Sequence, residues 1–319
     1  MVDIVGLGLA TMDIITLVPR LPRQDEVYRA RCIELEGGGP VATALVAATR
    51  LGASTAYLGP IAPTTWGGLV RTGLEAAGVD TTFAPPRGSG EQTVSVILVD
   101  QDTGQRSILY DPGEMQDLRP TEVPVELVTS ARALHLDGVH LEAACHAARI
   151  ARRAGVVVSF DGGAGELWAG TERLLPLVDL LVVARRYAQQ HTGHADPRDA
   201  GPALLETYGP RQVVITDGVR GCWFWDAARR NAGEHLHRPA FATDAVDTTG
   251  AGDVFHGAYL YAFLQGWPAE KTLAFASATA ALKCRKLGGR SGIPTRPQVE
   301  AFLTSQPGPS GEPSAGWPA

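Results

Sequence analysis

A polar run, a turn of small residues and a helix follow one another at 247–257 of this 319-residue chain. Asp247-Thr248-Thr249 leads into Gly250-Ala251-Gly252, and Asp253 then opens a segment whose apolar residues recur at helical spacing. Small residues before a helix allow backbone N–H groups to converge on a ligand, and the N-terminus of a helix attracts negative charge. The pattern therefore predicts an anion-binding site at residues 250–252.

The carboxylate of Asp253 has two interpretations, because it would stand in the first turn of that helix and compete with a bound anion. In the first, Asp253 is a general base that acts on a reacting group beside the anion site. In the second it only caps the helix, since acidic residues are common in first turns. The local pattern favours neither interpretation over the other.

Composition is typical of a soluble globular protein, with 45% hydrophobic and 19% charged residues. The net charge of −6 argues against a general nucleic-acid binder. The four cysteines are far apart and form no metal-ligand spacing, so we expect buried thiols in a reducing compartment. The sequence shows neither a basic leader nor an apolar run that could cross a bilayer, and we expect the protein in the cytoplasm, away from membranes.

Predicted strands alternate with predicted helices along most of the chain. Buried strands are expected at 2–8, 133–137, 156–160 and 212–216. This alternation predicts an α/β fold with a doubly wound, mainly parallel sheet flanked by helices. Polar residues follow or end these strands, and we expect them at the carboxyl edge of the sheet, where such folds bind ligands. They are Asp13, Asp137, Asp161 and Thr216.

Two β-rich patches interrupt the alternation, at about 14–36 and 91–117. Such patches, separated by helical sequence, can pair into a small sheet that forms a lid over the strand ends. Between them, Gly37-Gly38-Gly39-Pro40 leads into a helix of very small residues. We expect one domain at 1–304, and a flexible tail at 305–319 because that stretch is rich in proline, glycine and serine.

Two of these stretches together resemble motifs of the ribokinase-like (PfkB) family of carbohydrate kinases. They are the glycine turn with its small-residue helix at 38–53 and the stretch 247–253, which is similar to the family's C-terminal signature. The resemblance extends from Val2 to about Phe302. Within the family, sulfofructose kinases are the most similar, at 37–40, 253–257, 280–284 and 288–294. The positions that hold their sulfonate group read Val27, Tyr110 and Val139 here.

The resemblance implies a ribokinase-like fold and ATP-dependent phosphorylation of a sugar hydroxymethyl group, as in ribose, fructose or a related ketose. It implies that Asp253 is the base, kept ionised by the helix dipole, and that N–H groups of Gly250, Ala251 and Gly252 hold the phosphoryl charge. The implied sugar contacts are Asp13, Gly38, Gly39, Thr43, Tyr110 and Asp137. The implied nucleotide contacts are Thr216, Gly218, Gly221, Gly252 and Ser277. A monovalent cation such as K⁺ is implied at Asp247, Thr249 and Gly288.

One family pattern is missing. Mg²⁺ is expected with ATP, yet the Asn-x-x-Glu sequence that supports it in many members reads Ala184-Arg185-Arg186-Tyr187 here. Basic residues cluster at Lys283, Arg285, Lys286 and Arg290, most of them predicted on a solvated face and one or two near nucleotide phosphates. We also expect a homodimer through paired lids, which would protect exposed apolar residues on the lid sheet.

Three other functions stay open on sequence alone. The first is a nucleoside kinase of the same fold, and the second is a sugar-binding regulatory protein that has lost turnover. The third is a nicotinamide dehydrogenase built on Gly6 and Gly8, although Thr11 stands where a third glycine would be needed.

Overall fold

The computed structural model describes residues 2–86, 90–163, 169–228 and 235–306. Its strands are β1 (Ile4–Leu7), β2 (Thr11–Val18), β3 (Cys32–Gly38), β4 (Thr55–Tyr57), β5 (Val94–Asp100), β6 (Arg106–Asp111), β7 (Ala133–Leu136), β8 (Val157–Asp161), β9 (Leu180–Ala184), β10 (Gln212–Thr216), β11 (Cys222–Asp226) and β12 (Leu236–Arg238). Its helices are α1 (Pro40–Leu51), α2 (Thr65–Ala76), α3 (Val125–Ser130), α4 (Leu141–Arg153), α5 (Arg185–Thr192), α6 (Pro197–Tyr208), α7 (Ala251–Leu264), α8 (Ala269–Lys283) and α9 (Arg296–Ser305). The predicted tail lies almost entirely outside the described residues.

Eight strands form the main sheet, in the order β12-β11-β10-β9-β8-β7-β1-β4. Neighbouring strands from β10 to β4 are parallel, whereas β11 pairs antiparallel with both β10 and β12. The parallel strands are almost continuously apolar because helices cover both faces of the sheet. The predicted doubly wound α/β fold is thus confirmed.

The two faces of the sheet carry different sets of helices. Helices α1, α2, α7, α8 and α9 contribute to one hydrophobic cluster, and α3, α4, α5 and α6 contribute to the other. Small residues let α1 approach α7 closely, since a Cβ added at Gly257 would overlap the carbonyl oxygen of Ala44. This close packing fixes the start of α7 beside the glycine turn that precedes α1.

The second sheet has four strands in the order β3-β2-β5-β6 and stands apart from the main one, as the lid prediction requires. Strand β2 pairs parallel with β5, and the two outer pairs are antiparallel. Its first strand begins at Thr11, earlier than the predicted boundary near residue 14. Asp13 therefore lies in the lid rather than directly after β1, because the chain crosses from one sheet to the other within three residues.

One face of the lid is directed at the main domain. On it, Ile15, Ile97 and Val99 form a small core to which Leu287 adds a contact from beyond α8. The same face carries a row of polar residues paired across the four strands, in the order Glu36, Asp13, Ser95 and Tyr110. Within the described part of the chain, no helix is both long and apolar enough to cross a membrane.

Candidate active site

The turn before α7 has the geometry that the small residues predicted. Gly250 adopts φ 72°, in the left-handed region, and a Cβ at this position would come 2.8 Å from the carbonyl oxygen of Gly289. The N–H of Ala251 donates to Thr248 O at 3.2 Å, so this predicted anion donor is already used within the turn. The first N–H groups of a helix have no intrahelical acceptor, which leaves Gly250 and Gly252 as the better candidates.

Gly252 borders open space. A Cβ added there would have no neighbouring atom within 4 Å, and the residue is exposed although it stands in the first turn of a helix. An exposed glycine in this place leaves room for an anion directly in front of the helix N-terminus. The geometry is therefore compatible with the phosphoryl site that the sequence predicted at residues 250–252.

Asp253 is the third residue of α7 and is partly exposed beside that open space. Partial burial and the nearby carboxylate of Asp161 together raise the pKa of Asp253 to about 7, while His256 and Arg106 oppose the shift. The sequence requires only that Asp253 be ionised, and the raised pKa comes from its surroundings in the fold. A raised pKa makes Asp253 a stronger proton acceptor once it is ionised.

His256 was missed by sequence reasoning, although it follows Asp253 by three residues and a helix places such residues side by side. It is buried, and its Nδ1 lies 2.8 Å from Gly252 O and 3.2 Å from Asp161 Oδ2. Its Nε2 lies 2.9 Å from Val182 O. Both ring nitrogens thus face oxygen acceptors, which ties the first turn of α7 to strands β8 and β9.

The lid contributes Asp13, which is 6% exposed. Thr11 Oγ1 donates to its carboxylate at 2.7 Å, and a Cβ added at Gly38 would overlap Asp13 Oδ2. Burial raises the pKa of Asp13, and the guanidinium of Arg290 opposes this effect. Asp13 and Gly38, both predicted as sugar contacts, are therefore brought together, and Gly39 follows Gly38 as the residue that caps α1.

Arg290 belongs to the basic cluster that is mostly predicted on a solvated face, but its side chain reaches the glycine turn. Its Nη2 donates to Gly38 O at 2.6 Å, and its Nε donates to Thr43 Oγ1 at 3.2 Å. Burial lowers the pKa of Arg290 to about 10, and the carboxylates of Asp13 and Glu36 oppose the shift. Thr43, a predicted sugar contact, thus accepts a hydrogen bond from a cation beside the glycine turn.

Arg106 contributes a second guanidinium group, and this one comes from the lid. Its Nη1 donates to Thr248 Oγ1 at 2.9 Å, just before the glycine turn, and it is one of the charges that act on Asp253. Arg106 therefore links the lid strand β6 to the start of α7. Tyr110, on the same strand, is 65% exposed at the end of the polar row, and its contact with a sugar stays a prediction.

Asp137 is fully buried, and both of its carboxylate oxygens are already engaged. One accepts from Leu9 N at 2.7 Å and the other from Val139 N at 2.9 Å. Burial raises the pKa of Asp137 to about 6, with these backbone donors opposing the shift. Its observed role is to join the loop after β1 to the loop after β7, and its contact with sugar hydroxyls stays a prediction.

A cleft of about 570 Å³ leads away from the first turn of α7. Its lining includes every predicted nucleotide contact, namely Thr216, Gly218, Gly221, Gly252 and Ser277. The remaining wall is mainly apolar, with Phe241 and Phe255 among its aromatic residues. A cleft with apolar walls beside a helix N-terminus can hold a base against those walls and phosphates at the N-terminus.

The predicted cation residues also come together. The carboxylate of Asp247 is buried and accepts from Thr249 N and from Gly288 N, each at 2.8 Å. The ammonium group of Lys283 lies among them and donates to the carbonyl oxygens of Asp247 and Thr249. From sequence, most of the basic residues between 283 and 290 are predicted on a solvated face, and Lys283 differs from that pattern because it is buried.

The stretch that replaces Asn-x-x-Glu offers no carboxylate for Mg²⁺. Arg185 begins α5 with its Nε 3.7 Å from Asp217 Oδ1, and the ring of Tyr187 is buried in the core. The described residues contain no group of three His, Cys, Asp or Glu side chains that could hold a metal ion. Any Mg²⁺ at this site would take most of its ligands from nucleotide phosphates and water.

Comparisons with known proteins match nearly the whole chain. The model of the pfkB family carbohydrate kinases matches residues 1–296. An ATP-dependent ribose-1-phosphate kinase from Halopiger xanaduensis is 30% identical over 306 residues, which cover 96% of this chain and 99% of the relative. A 2-dehydro-3-deoxygalactonokinase from Haloferax volcanii is 30% identical over 301 residues, which cover 88% and 92%. The crystal structure of a ribokinase from Thermotoga maritima is similar with a TM-score of 0.80 at 27% identity, covering 95% of this chain and 99% of that one.

Proposed function

This chain belongs to the pfkB family of carbohydrate kinases, and on that premise we propose that it transfers the γ-phosphoryl group of ATP to a hydroxymethyl group of a sugar bound beneath the lid. The observation that carries the proposal is the position of Asp253. It directly follows Gly252, which helps to line the cleft, and the buried lid carboxylate of Asp13 is close enough to raise its pKa. A base in this place can reach both substrates.

In the proposed reaction, Asp253 accepts the proton of the attacking sugar hydroxyl. The oxygen of that hydroxyl bonds to the γ-phosphorus as the bond between the γ-phosphorus and the ADP oxygen breaks. Phosphoryl transfer depends chiefly on positioning and charge stabilisation. The N–H groups of Gly250 and Gly252 supply fixed donors, and Arg106 supplies a cation from the lid. Mg²⁺, when bound with ATP, would neutralise part of the phosphate charge.

Two classes of sugar are candidates for the acceptor. The first is a neutral sugar such as ribose, fructose or a related ketose, which the Asp13 region would hold through hydroxyl groups. The second is a sugar that already carries an anionic group, favoured by Arg106 and Arg290, whose guanidinium groups approach the site from two sides. A relative named ribose-1-phosphate kinase is compatible with the second class, whereas Val27, Tyr110 and Val139, which stand where sulfofructose kinases hold their sulfonate group, argue against a sulfonated sugar.

A substrate screen tests the proposed function. ADP release is measured with ATP and Mg²⁺ across ketoses, aldopentoses, sugar phosphates, sulfosugars and nucleosides. We expect at least one sugar or sugar phosphate to accelerate ADP release far above the rate without acceptor. Acceleration by nucleosides alone would instead favour a nucleoside kinase, and acceleration by none, with sugar binding retained, would favour a regulatory protein.

We further propose a cytoplasmic homodimer formed through the lids of single-domain chains. The face of the lid that is directed away from the main domain exposes Ile33, Leu35, Val96 and Leu109, with exposures between 38% and 65%. Contiguous apolar residues of this kind mark an interaction surface. Analytical ultracentrifugation should give twice the chain mass of 33.7 kDa, and the Leu35→Lys variant should sediment as one chain. A monomeric wild type would contradict the dimer.

A further inference from the structure

Lys283 is the last residue of α8, and its side chain is completely buried. The ammonium group donates to Asp247 O at 3.1 Å and to Thr249 O. Burial lowers the pKa of Lys283, and the carboxylate of Asp247 opposes that shift. Because a buried ammonium group without acceptors is costly, these two carbonyl oxygens are what makes the position tolerable for a lysine.

The bond to Thr249 O has a direct consequence for the anion site. The carbonyl of Thr249 and the N–H of Gly250 belong to one peptide group, and in a planar trans peptide they point in opposite directions. The described residues contain no cis peptide bond. A cation fixed on Thr249 O therefore directs the Gly250 N–H away from Lys283, toward the open side of the turn, and polarises it as a donor.

The other side of this loop is fixed as well. Asp247 holds the N–H groups of Thr249 and Gly288 with its two carboxylate oxygens. The main-chain N–H groups of Val246 and Asp247 donate to Cys284 O, at 2.8 Å and 3.2 Å. The end of α8 therefore sets the conformation of the residues that lead into the glycine turn.

A resident monovalent cation does not fit this arrangement. Backbone carbonyls are suitable ligands for such an ion, but those of Asp247 and Thr249 already accept hydrogen bonds from an ammonium group. A K⁺ ion bound to the same oxygens would also stand within contact distance of a like charge. The residues that suggested a K⁺ site from sequence are thus arranged around a lysine.

We propose that the ammonium group of Lys283 takes the place of a monovalent cation, as a positioning residue that orients the Gly250 N–H of the anion site. The kinase is then independent of dissolved K⁺. The kinetic part of the test rests on the proposed sugar-kinase function, whereas thermal unfolding requires no substrate. The two readouts therefore separate a failure of this inference from a failure of the proposed function.

The wild-type enzyme is tested first, in chlorides of K⁺, Na⁺ and tetramethylammonium at equal ionic strength. We expect the same rate of sugar-dependent ADP release and the same Tm in all three salts. A rate or a Tm that rises only with K⁺ would show that a cation site exists, and this would overturn the inference even if no variant could be purified.

The Lys283→Ala variant is then measured in the same salts and in methylammonium chloride. Loss of one oriented donor should lower kcat on the order of 100-fold, and K⁺ or methylammonium should restore much of the rate and raise Tm. Tetramethylammonium should do neither, because it is too large for the vacated space and cannot donate hydrogen bonds. The matched control is Lys286→Ala, three residues along and exposed, which should behave as wild type.

The variant can also refute the inference. Full activity of Lys283→Ala in tetramethylammonium chloride would show that no cation is needed beside Thr249. A folded variant that neither K⁺ nor methylammonium restores or stabilises would show that Lys283 acts only through packing. If no acceptor sugar is found, the Tm comparison alone decides between these outcomes.

Discussion

Asp253→Asn is expected to lower kcat for sugar-dependent ADP release by about 10²–10⁴-fold, the range typical of a lost general base. Asparagine is nearly isosteric with aspartate and keeps the side chain at the third position of α7, so the fold and the KM for ATP should change little. The measurement is steady-state ADP release with the best acceptor from the screen, accompanied by circular dichroism and Tm of the variant.

The matched control for this variant is Asp199→Asn. Asp199 is also the third residue of a helix, α6, but its side chain is exposed, and α6 contributes to the hydrophobic cluster that does not include α7. If both variants retain wild-type kcat, Asp253 is only a helix-terminal carboxylate and the proposed chemistry is wrong. If only Asp253→Asn loses activity at unchanged Tm, the residue acts on the reaction and not on stability.

The pH response of the wild type provides a second readout of the same residue. Burial and Asp161 raise the pKa of Asp253 to about 7, and only the ionised carboxylate can accept a proton. For that reason kcat/KM should rise with pH through about 7 and level off above it. The residual activity of Asp253→Asn should lack this rise. If the variant shows the same rise of kcat/KM with pH as the wild type, the rise belongs to another group.

Arg290→Met is expected to have the second largest effect. It should raise the KM for the sugar but not the KM for ATP. Methionine keeps much of the length of the side chain but removes the donors to Gly38 O and Thr43 Oγ1 and the charge near Asp13. Hydrogen bonds from a charged group contribute about 1.5–3 kcal/mol, which corresponds to roughly a 10- to 100-fold rise in KM if the sugar shares this network. The free energy of unfolding should fall by a similar amount.

Urea unfolding and separate KM values for sugar and ATP check this prediction. Lys286→Met is the control, because Lys286 is exposed and close to Arg290 in sequence. An equal rise in both KM values would indicate a general distortion of the cleft. An unchanged sugar KM together with reduced stability would show that Arg290 only supports the glycine turn.

The parts of the site that depend on local backbone geometry were readable from sequence. The turn at 250–252, the glycine turn before α1 and the glycines that line the cleft all stand where small residues are required, and a short motif records such a requirement. The structure brings these stretches together where parallel strands end. The lid was recognised for a similar reason, since its β-rich sequence interrupts the alternation of strands and helices.

The charged residues that complete the site could not be placed this way. Arg106 contacts Thr248 across 142 residues, and Arg290 N bonds to Glu36 across 254 residues. Local sequence around Lys283 and Arg290 has the pattern of a solvated basic face, because nothing nearby shows that the chain folds back over it. The crossing from β1 to β2 could not be predicted either, because apolar residues continue from the main sheet into the lid sheet.

Phosphorus NMR directly follows the proposed transfer of the γ-phosphorus of ATP to a sugar. With the best acceptor, we expect a sugar phosphate ester that forms as fast as ADP, at a rate that falls steeply in Asp253→Asn. Inorganic phosphate released equally fast with and without the sugar would contradict it, because the phosphoryl group would then go to water and not to a sugar hydroxyl.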